Sequence, residues 1–368
     1  MLGWAARAQL PGFPWDRLAP YGEKARAHPG GIVDLSIGTP VDPTPRVVRD
    51  ALGAAADAPG YPLTIGSPAL REALVGWARR RLGADVDARN VLPSIGSKEL
   101  VALLPVLLGL TPGSEVLLPR LAYPTYDVGA RLAGCVPVPV QDPTAHDPER
   151  VALVWLNSPS NPTGEVLAPA RLRAVVDWAR AHGILVASDE CYLELGWDAE
   201  PVSVLHPSVS GGSTDGVLAL HSLSKRSNLA GYRAGFAVGD PTAVAVLTEA
   251  RKHIGLLSPA PVQAATVAAL ADDAHVTVQK ARYAARRDRL LPAVRAAGFT
   301  VEHSEAGLYL WATRGEPCWD TVAALAAVGV LVAPGEFYGE DGARHVRLAL
   351  TATDERVAAA AERLADLA

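Results

Sequence analysis

Short, almost wholly apolar runs alternate with longer segments of helical periodicity through the middle of this chain. The runs Glu115 to Leu118, Val136 to Val140, Ala152 to Leu156, Ile184 to Ser188 and Val217 to His221 predict strands buried on both faces. Pro169 to His182 and Thr242 to His253 predict helices. Parallel strands need long crossovers, so this alternation predicts an α/β fold with a mainly parallel sheet sandwiched by helices.

The two ends read differently. Residues before about Leu35 are rich in Pro, Gly and aromatics and predict an arm. Beyond Pro261 the pattern predicts one long helix through Arg287. Short strands at Phe299 to Val301 and Gly307 to Ala312 follow, then a helix around Thr321 to Ala327, a strand at Val346 to Leu350 and a last helix from Asp354. That mixture predicts a smaller α+β domain. The chain has 368 residues, more than one simple core needs. The expected division is residues 1–35 for the arm and part of the small domain, 36–261 for the large domain and 262–368 for the small one.

A formal net charge of −5 with no basic cluster argues against nucleic acid as a partner. Leu100 to Leu110 is the longest apolar candidate; it contains Pro105 and falls well short of the about 20 residues that cross a bilayer. The apolar stretch within Met1 to Leu10 is too brief for a secretory signal. Cys135, Cys191 and Cys318 are widely spaced, as in a reduced compartment, and form no zinc pattern. A cytoplasmic protein without membrane contact is the expectation.

In open α/β sheets ligands bind beyond the carboxyl ends of the strands. Here one apolar run ends in Asn157-Ser158-Pro159-Ser160-Asn161-Pro162-Thr163-Gly164. A second ends in Asp189-Glu190-Cys191-Tyr192, and a third in His221-Ser222-Leu223-Ser224-Lys225. An amide, a carboxylate with a phenol, and a lysine preceded by hydroxyls suit an aldehyde cofactor that carries a phosphate and a basic ring nitrogen.

With Gly231-Tyr232-Arg233 after the lysine, these segments resemble the class I/II aminotransferases of pyridoxal-5′-phosphate (PLP) fold type I. Four more pieces stand in the matching order: Tyr61 to Arg71, Gly96-Ser97-Lys98, Tyr123-Pro124-Thr125-Tyr126, and Arg347. The resemblance covers nearly the whole chain. It implies PLP as cofactor, amino and keto acids as substrates, and a homodimer with sites at the interface.

The resemblance also implies roles. Lys225 would hold the cofactor covalently and then shuttle a proton, which requires its neutral amine. Asp189 would keep the pyridine nitrogen protonated. Tyr192 and Asn161 would bond the cofactor's phenolic oxygen, and Tyr123 would stack on the ring. Gly96, Ser97 and the Lys98 amide at a helix start, with Ser222, Ser224 and Arg233, would hold the phosphate. Tyr61 would reach the phosphate of a neighbouring subunit. Arg347 would grip the substrate α-carboxylate, assisted by Gly38 and Asn161. Plainer readings stand beside these: caps, turns, core aromatics, and a structural ion pair for Arg347. Tyr126, His221 and Cys191 read as structural.

Finer runs, among them Phe13-Pro14-Trp15-Asp16 and Leu121 to Ala130, are similar to actinobacterial N-succinyldiaminopimelate aminotransferases. That likeness implies glutamate as donor, N-succinyl-L-2-amino-6-oxopimelate as acceptor, and a place in lysine biosynthesis through diaminopimelate. Such an acceptor needs a second cation; Arg226, Arg120, Lys252 and Arg26 are candidates. The alternatives are another fold type I reaction, such as an aromatic, prephenate or specialised-metabolite aminotransferase or a carbon–sulfur lyase, and a non-catalytic ligand-sensing domain.

Overall fold

The structure is a computed structural model that describes residues 10–367; most of the Met1–Leu10 stretch lies outside them. The strands are β1 (Val33–Asp34), β2 (Val91–Ile95), β3 (Glu115–Pro119), β4 (Val136–Val140), β5 (Val151–Asn157), β6 (Leu185–Asp189) and β7 (Val217–Ser222). They continue with β8 (Ala234–Gly239), β9 (Thr300–Glu302), β10 (Tyr309–Thr313), β11 (Val330–Leu331), β12 (Ala333–Pro334) and β13 (Val346–Ala349). The helices are α1 (Ala19–Arg26), α2 (Arg46–Ala54), α3 (Pro68–Leu82), α4 (Ser97–Leu107), α5 (Thr125–Leu132), α6 (Pro169–Ala181), and the single turns α7 (Pro207–Ser210) and α8 (Leu223–Arg226). Then come α9 (Pro241–Ile254), α10 (Ala260–Ala271), α11 (Ala274–Ala296), α12 (Cys318–Ala327) and α13 (Asp354–Leu364).

Seven strands form the central sheet in the order β2-β8-β7-β6-β5-β3-β4. The five strands read from the sequence are parallel to one another, and β8 runs antiparallel between β7 and β2. Successive residues of β5 explain the two-sided burial. Leu153 and Trp155 enter one core with α4 and α5, whereas Val154 and Leu156 enter the opposite core with α3 and α6.

The reversal at β8 has a simple cause. Only residues 223–233 separate β7 from β8, too few for a parallel crossover of a dozen or more residues with its helix. That short connection, α8 and a 3₁₀ turn, lies over the carboxyl end of the sheet. Because β8 is antiparallel, its first residue lies at the same edge as the last residues of β5, β6 and β7. Arg233, Asn157, Asp189 and Ser222 are thereby brought to one rim.

The smaller unit is an antiparallel sheet ordered β12-β13-β10-β9, with a parallel pair of β1 and β11. Leu18, Ala25, Val33 and Leu35 of the arm share its core with Trp311, Val322, Leu348 and Val357. Part of the arm is therefore structured and packs against the C-terminal residues.

One expectation is corrected. The long helix after Pro261 is two helices, α10 and α11. Asp272 Oδ1 accepts from the Ala274 amide at 2.9 Å, so the side chain caps a new helix where the pattern suggested continuation. Ala265, Ala269 and Leu270 of α10 pack in the large-sheet core, while Tyr283 and Leu290 of α11 pack in the other. Helix α10 thus packs with the large sheet and α11 with the smaller unit.

Candidate active site

A cavity of about 560 Å³ opens between the carboxyl rim of the large sheet, the smaller unit and the arm. Lys225, Asp189, Tyr192, Asn161, Tyr123, Ser97, Lys98, Ser222, Ser224, Arg233, Arg347 and Gly38 all line it. The sequence scatters these residues over most of the chain; the rim gathers them.

Ser222 ends β7, and its hydroxyl accepts from the Ser224 amide at 3.1 Å, starting the turn that carries Lys225. Enclosure by protein pushes the Lys225 amine's pKa down, and the Arg347 and Arg233 charges push the same way. The shift is toward the neutral amine that attack on an aldehyde requires.

Asp189 ends β6 and is buried. Its Oδ2 accepts from the Tyr126 hydroxyl at 2.9 Å and its Oδ1 from the Cys191 amide at 3.2 Å. Burial pushes its pKa up, while these bonds pull it back. Among the described residues it has no cationic partner within ion-pair distance, so its charge is left for something in the cavity.

Asn157 builds the next loop. Its amide nitrogen donates to the carbonyl of Asp189 at 2.9 Å, and its Oδ1 accepts from the Asn161 amide at 2.7 Å. Asn161 Oδ1 in turn accepts from Arg347 Nη1 at 2.8 Å. Arg347 Nη2 donates to the Ser36 carbonyl at 2.7 Å, and the buried Nε has no partner among the described residues. No carboxylate pairs with Arg347 there, which disfavours the structural ion pair. A guanidinium this buried needs an anion.

At the phosphate end, Gly96 (φ 74°) precedes the first turn of α4. A Cβ at Gly96 would stand 2.4 Å from Arg233 Nη2, so the guanidinium closes over bare backbone. Ser97 Oγ accepts from the Cys191 thiol at 3.2 Å. Helix amides, three hydroxyls and an arginine together have the chemistry of a phosphate cup. A cup, a buried carboxylate and a deprotonatable amine around one cavity fit PLP.

Five residues named from the sequence lie outside this cavity. Tyr61 is 98% exposed and lies outside the cavity of its own chain. The four cations considered for a remote carboxylate do not line the cavity either. Arg226 is ion-paired with Glu194, Arg120 with Asp341 at 2.6 Å and Lys252 with Glu249 at 2.8 Å; Arg26 closes α1. Lys98 is the additional lining cation among the described residues, with Nζ 5.7 Å from the Phe13 ring centroid.

The residues missed from sequence are Tyr126, Cys191 and Tyr309. Tyr126 stacks on Trp155 at 4.8 Å and meets Tyr123 edge-on at 5.9 Å. Its spacing of three from Tyr123 at the start of α5 was the available hint. Tyr309 Oη lies 2.9 Å from Tyr192 Oη, a contact set by tertiary register alone. Phe13, Trp15, Val101 and Val128 add an apolar wall.

The fold is that of the fold type I PLP enzymes, and the chain belongs to the class I and II aminotransferases, whose family pattern matches residues 31–364. It is a PLP-dependent aminotransferase. Among its relatives, the 4-dedimethylamino-4-oxo-anhydrotetracycline transaminase OxyQ of Streptomyces rimosus is 62% identical over 97% of this chain and 99% of that protein. "Probable aminotransferase Rv1178" of Mycobacterium tuberculosis is also 62% identical, over 97% of this chain and 86% of its own length. The solved N-succinyldiaminopimelate aminotransferase from Mycobacterium tuberculosis superposes with a TM-score of 0.85 at 29% identity, covering 96% of this chain and 99% of that one. No described helix is long and apolar enough to cross a membrane.

Proposed function

We propose that this aminotransferase pairs glutamate and 2-oxoglutarate with N-succinyl-L-2-amino-6-oxopimelate, forming N-succinyl-LL-2,6-diaminopimelate for lysine biosynthesis. The observation that carries this reading is Lys98, a cation beyond Lys225, Arg233 and Arg347 that lines the same cavity. Arg347 suits the α-carboxylate of glutamate; Lys98 suits the remote carboxylates of a long acceptor. The relative of known structure named for this substrate supports the same choice.

In this reading Arg347 orients the substrate by its α-carboxylate, with Gly38 and Asn161 beside it. Lys225 Nζ, once freed, takes the proton from the substrate Cα. Asp189 holds the ring nitrogen protonated, Tyr192 and Asn161 bond the phenolic oxygen, and Tyr123 covers the ring. Gly96, Ser97, Lys98 through its amide, Ser222, Ser224 and Arg233 hold the phosphate. Bound PLP supplies the aldehyde that takes up the amino group and a ring that accepts the electron pair of the broken Cα–H bond. Two half-reactions at one site give ping-pong kinetics.

The dimer belongs to the same proposal. Tyr61, Leu63, Ile37 and Val41 are exposed, and Tyr61 is free to enter a second copy's phosphate cup. A two-fold pair is the common arrangement. We place the enzyme in the cytoplasm; its free cysteines agree with that compartment.

A second reading has its own support. OxyQ is more than twice as similar as the structural relative, and the wall of Phe13, Trp15, Val101 and Val128 suits a fused-ring ketone. One experiment separates the two. Glutamate is added to the PLP-loaded protein until the visible coenzyme band is lost, the keto acid is removed, and each acceptor is offered alone. Return of the band with the succinylated acceptor supports the first reading. Return with 2-oxoglutarate but not with that acceptor eliminates it.

A further inference from the structure

Tyr309 stands between the two halves of the site. Its ring is buried in the core of the smaller unit, and Arg347 Cζ lies 3.9 Å from the ring centroid. Its hydroxyl lies 2.9 Å from the hydroxyl of Tyr192, which follows the end of β6 and whose ring packs into the same core. We propose that Tyr309 is a positioning residue that fixes the plane of Arg347 and couples occupation of that guanidinium to the Tyr192 hydroxyl. The inference rests on the roles proposed above for Arg347 and Tyr192.

The chemistry of the two contacts explains the choice of tyrosine. Every N–H of a guanidinium lies in its plane. A ring stacked on its face holds the plane without using a donor, so Nε stays free for a carboxylate. A carboxylate in the same place would orient the arginine and also neutralise it, which would defeat substrate binding.

The hydroxyl contact is directional. Burial pushes the Tyr192 hydroxyl's pKa well above the ordinary tyrosine range, so it stays protonated and has one proton to give. If that proton goes to the coenzyme's oxygen, Tyr309 must donate to Tyr192. Movement of the Tyr309 ring with Arg347 then changes a hydrogen bond at the coenzyme.

Gly38 supplies independent support. A Cβ there would stand 2.4 Å from Tyr309 Oη and 3.0 Å from two ring atoms. Its φ is not in the left-handed region, so glycine serves for room, not for conformation. The space a side chain would occupy at residue 38 is given to Tyr309.

The test uses PLP-loaded wild type, Tyr309→Phe and Tyr309→Leu, with maleate as an unreactive dicarboxylate. Calorimetry measures maleate affinity, and the visible coenzyme band is recorded with and without maleate. Loss of the ring in Tyr309→Leu weakens maleate roughly tenfold and raises the KM for glutamate more than it lowers kcat. Tyr309→Phe keeps maleate affinity within about twofold because its ring still stacks, yet loses the maleate-induced shift of the band. Unchanged affinity in loaded Tyr309→Leu, or an undiminished shift in Tyr309→Phe, overturns the inference. Should Tyr309→Leu not fold, the Tyr309→Phe spectrum decides alone. A wild type that takes up no PLP or no maleate defeats the underlying reading instead.

Discussion

The Tyr126 hydroxyl donates to Asp189 Oδ2 at 2.9 Å, and the same ring is stacked on Trp155. A helix start and a sheet core thus jointly hold the carboxylate expected to face the coenzyme ring. Burial raises the pKa of Asp189, and this bond is one of those opposing it.

Tyr126→Phe keeps the stacking and removes the donor. A hydrogen bond to a charged group is worth about 1.5–3 kcal/mol, so PLP affinity should fall at least about tenfold. Equilibrium dialysis of the coenzyme measures it. Unaltered affinity would show that Asp189 holds its charge without Tyr126.

Gly96→Ala tests the phosphate end. The new methyl would meet the Arg233 guanidinium at 2.4 Å, on a backbone with φ 74°. The guanidinium must swing away, because the backbone there cannot. The expected result is weaker PLP uptake with little change in the KM for glutamate once the site is saturated. Lys225→Ala is the complementary variant. It should fold and retain PLP without the covalent link, and lose turnover with glutamate; near-normal turnover would remove Lys225 from the mechanism.

Much of this site was legible because of where strands stop. Asp189 and Ser222 are the last residues of β6 and β7, and Lys225 follows on the next turn, so apolar runs pointed directly at them. Strand β8 was not legible: Ala234-Gly235-Phe236-Ala237-Val238-Gly239 is rich in residues with poor strand propensity and holds its place through pairing with β2 and β7. Nor was Tyr309, whose neighbours Arg347 and Tyr192 reach it through the β10–β13 register and the packing of the two units. The break between α10 and α11 was visible only as Asp272-Asp273, a cap inside an otherwise helical pattern.

Behind the site, Glu190 and His221 form a buried pair that gives a pH prediction. Glu190 Oε1 accepts from the Val204 amide at 2.8 Å and the Ser188 hydroxyl at 3.1 Å, whereas Oε2 faces His221 Nε2 at 3.6 Å. Burial pushes Glu190 up to about 7 and His221 down to about 3. Folded Glu190 keeps its proton longer than the unfolded chain does, so its contribution is complete below the ordinary carboxylate range and is lost as pH rises through about 7. His221 has the opposite sign: its contribution is present above the ordinary imidazole range and is lost as pH falls toward about 3. In a comparison of Glu190→Gln with wild type the histidine is common to both. The variant's melting temperature should therefore gain on wild type from about pH 5 upward, most of the gain being complete soon after pH 7. A difference that is flat with pH would place the proton elsewhere.

Lys98 decides between the two acceptors. Its expected contact with the coenzyme phosphate is through the backbone amide, so Lys98→Met leaves PLP uptake intact while removing a charge from the cavity. Methionine keeps most of the aliphatic stem against Phe13. An exposed ion pair is worth up to about 1 kcal/mol, so the KM for the succinylated acceptor should rise by up to roughly fivefold with kcat little changed. A neutral fused-ring ketone has no carboxylate to lose and should bind the variant as well or better, because the apolar wall is extended. Steady-state kinetics with both acceptors on both proteins therefore reads the substrate class from one side chain. If neither KM responds, Lys98 points away from the acceptor, and the claim that two cations select a long, multiply charged substrate fails with it.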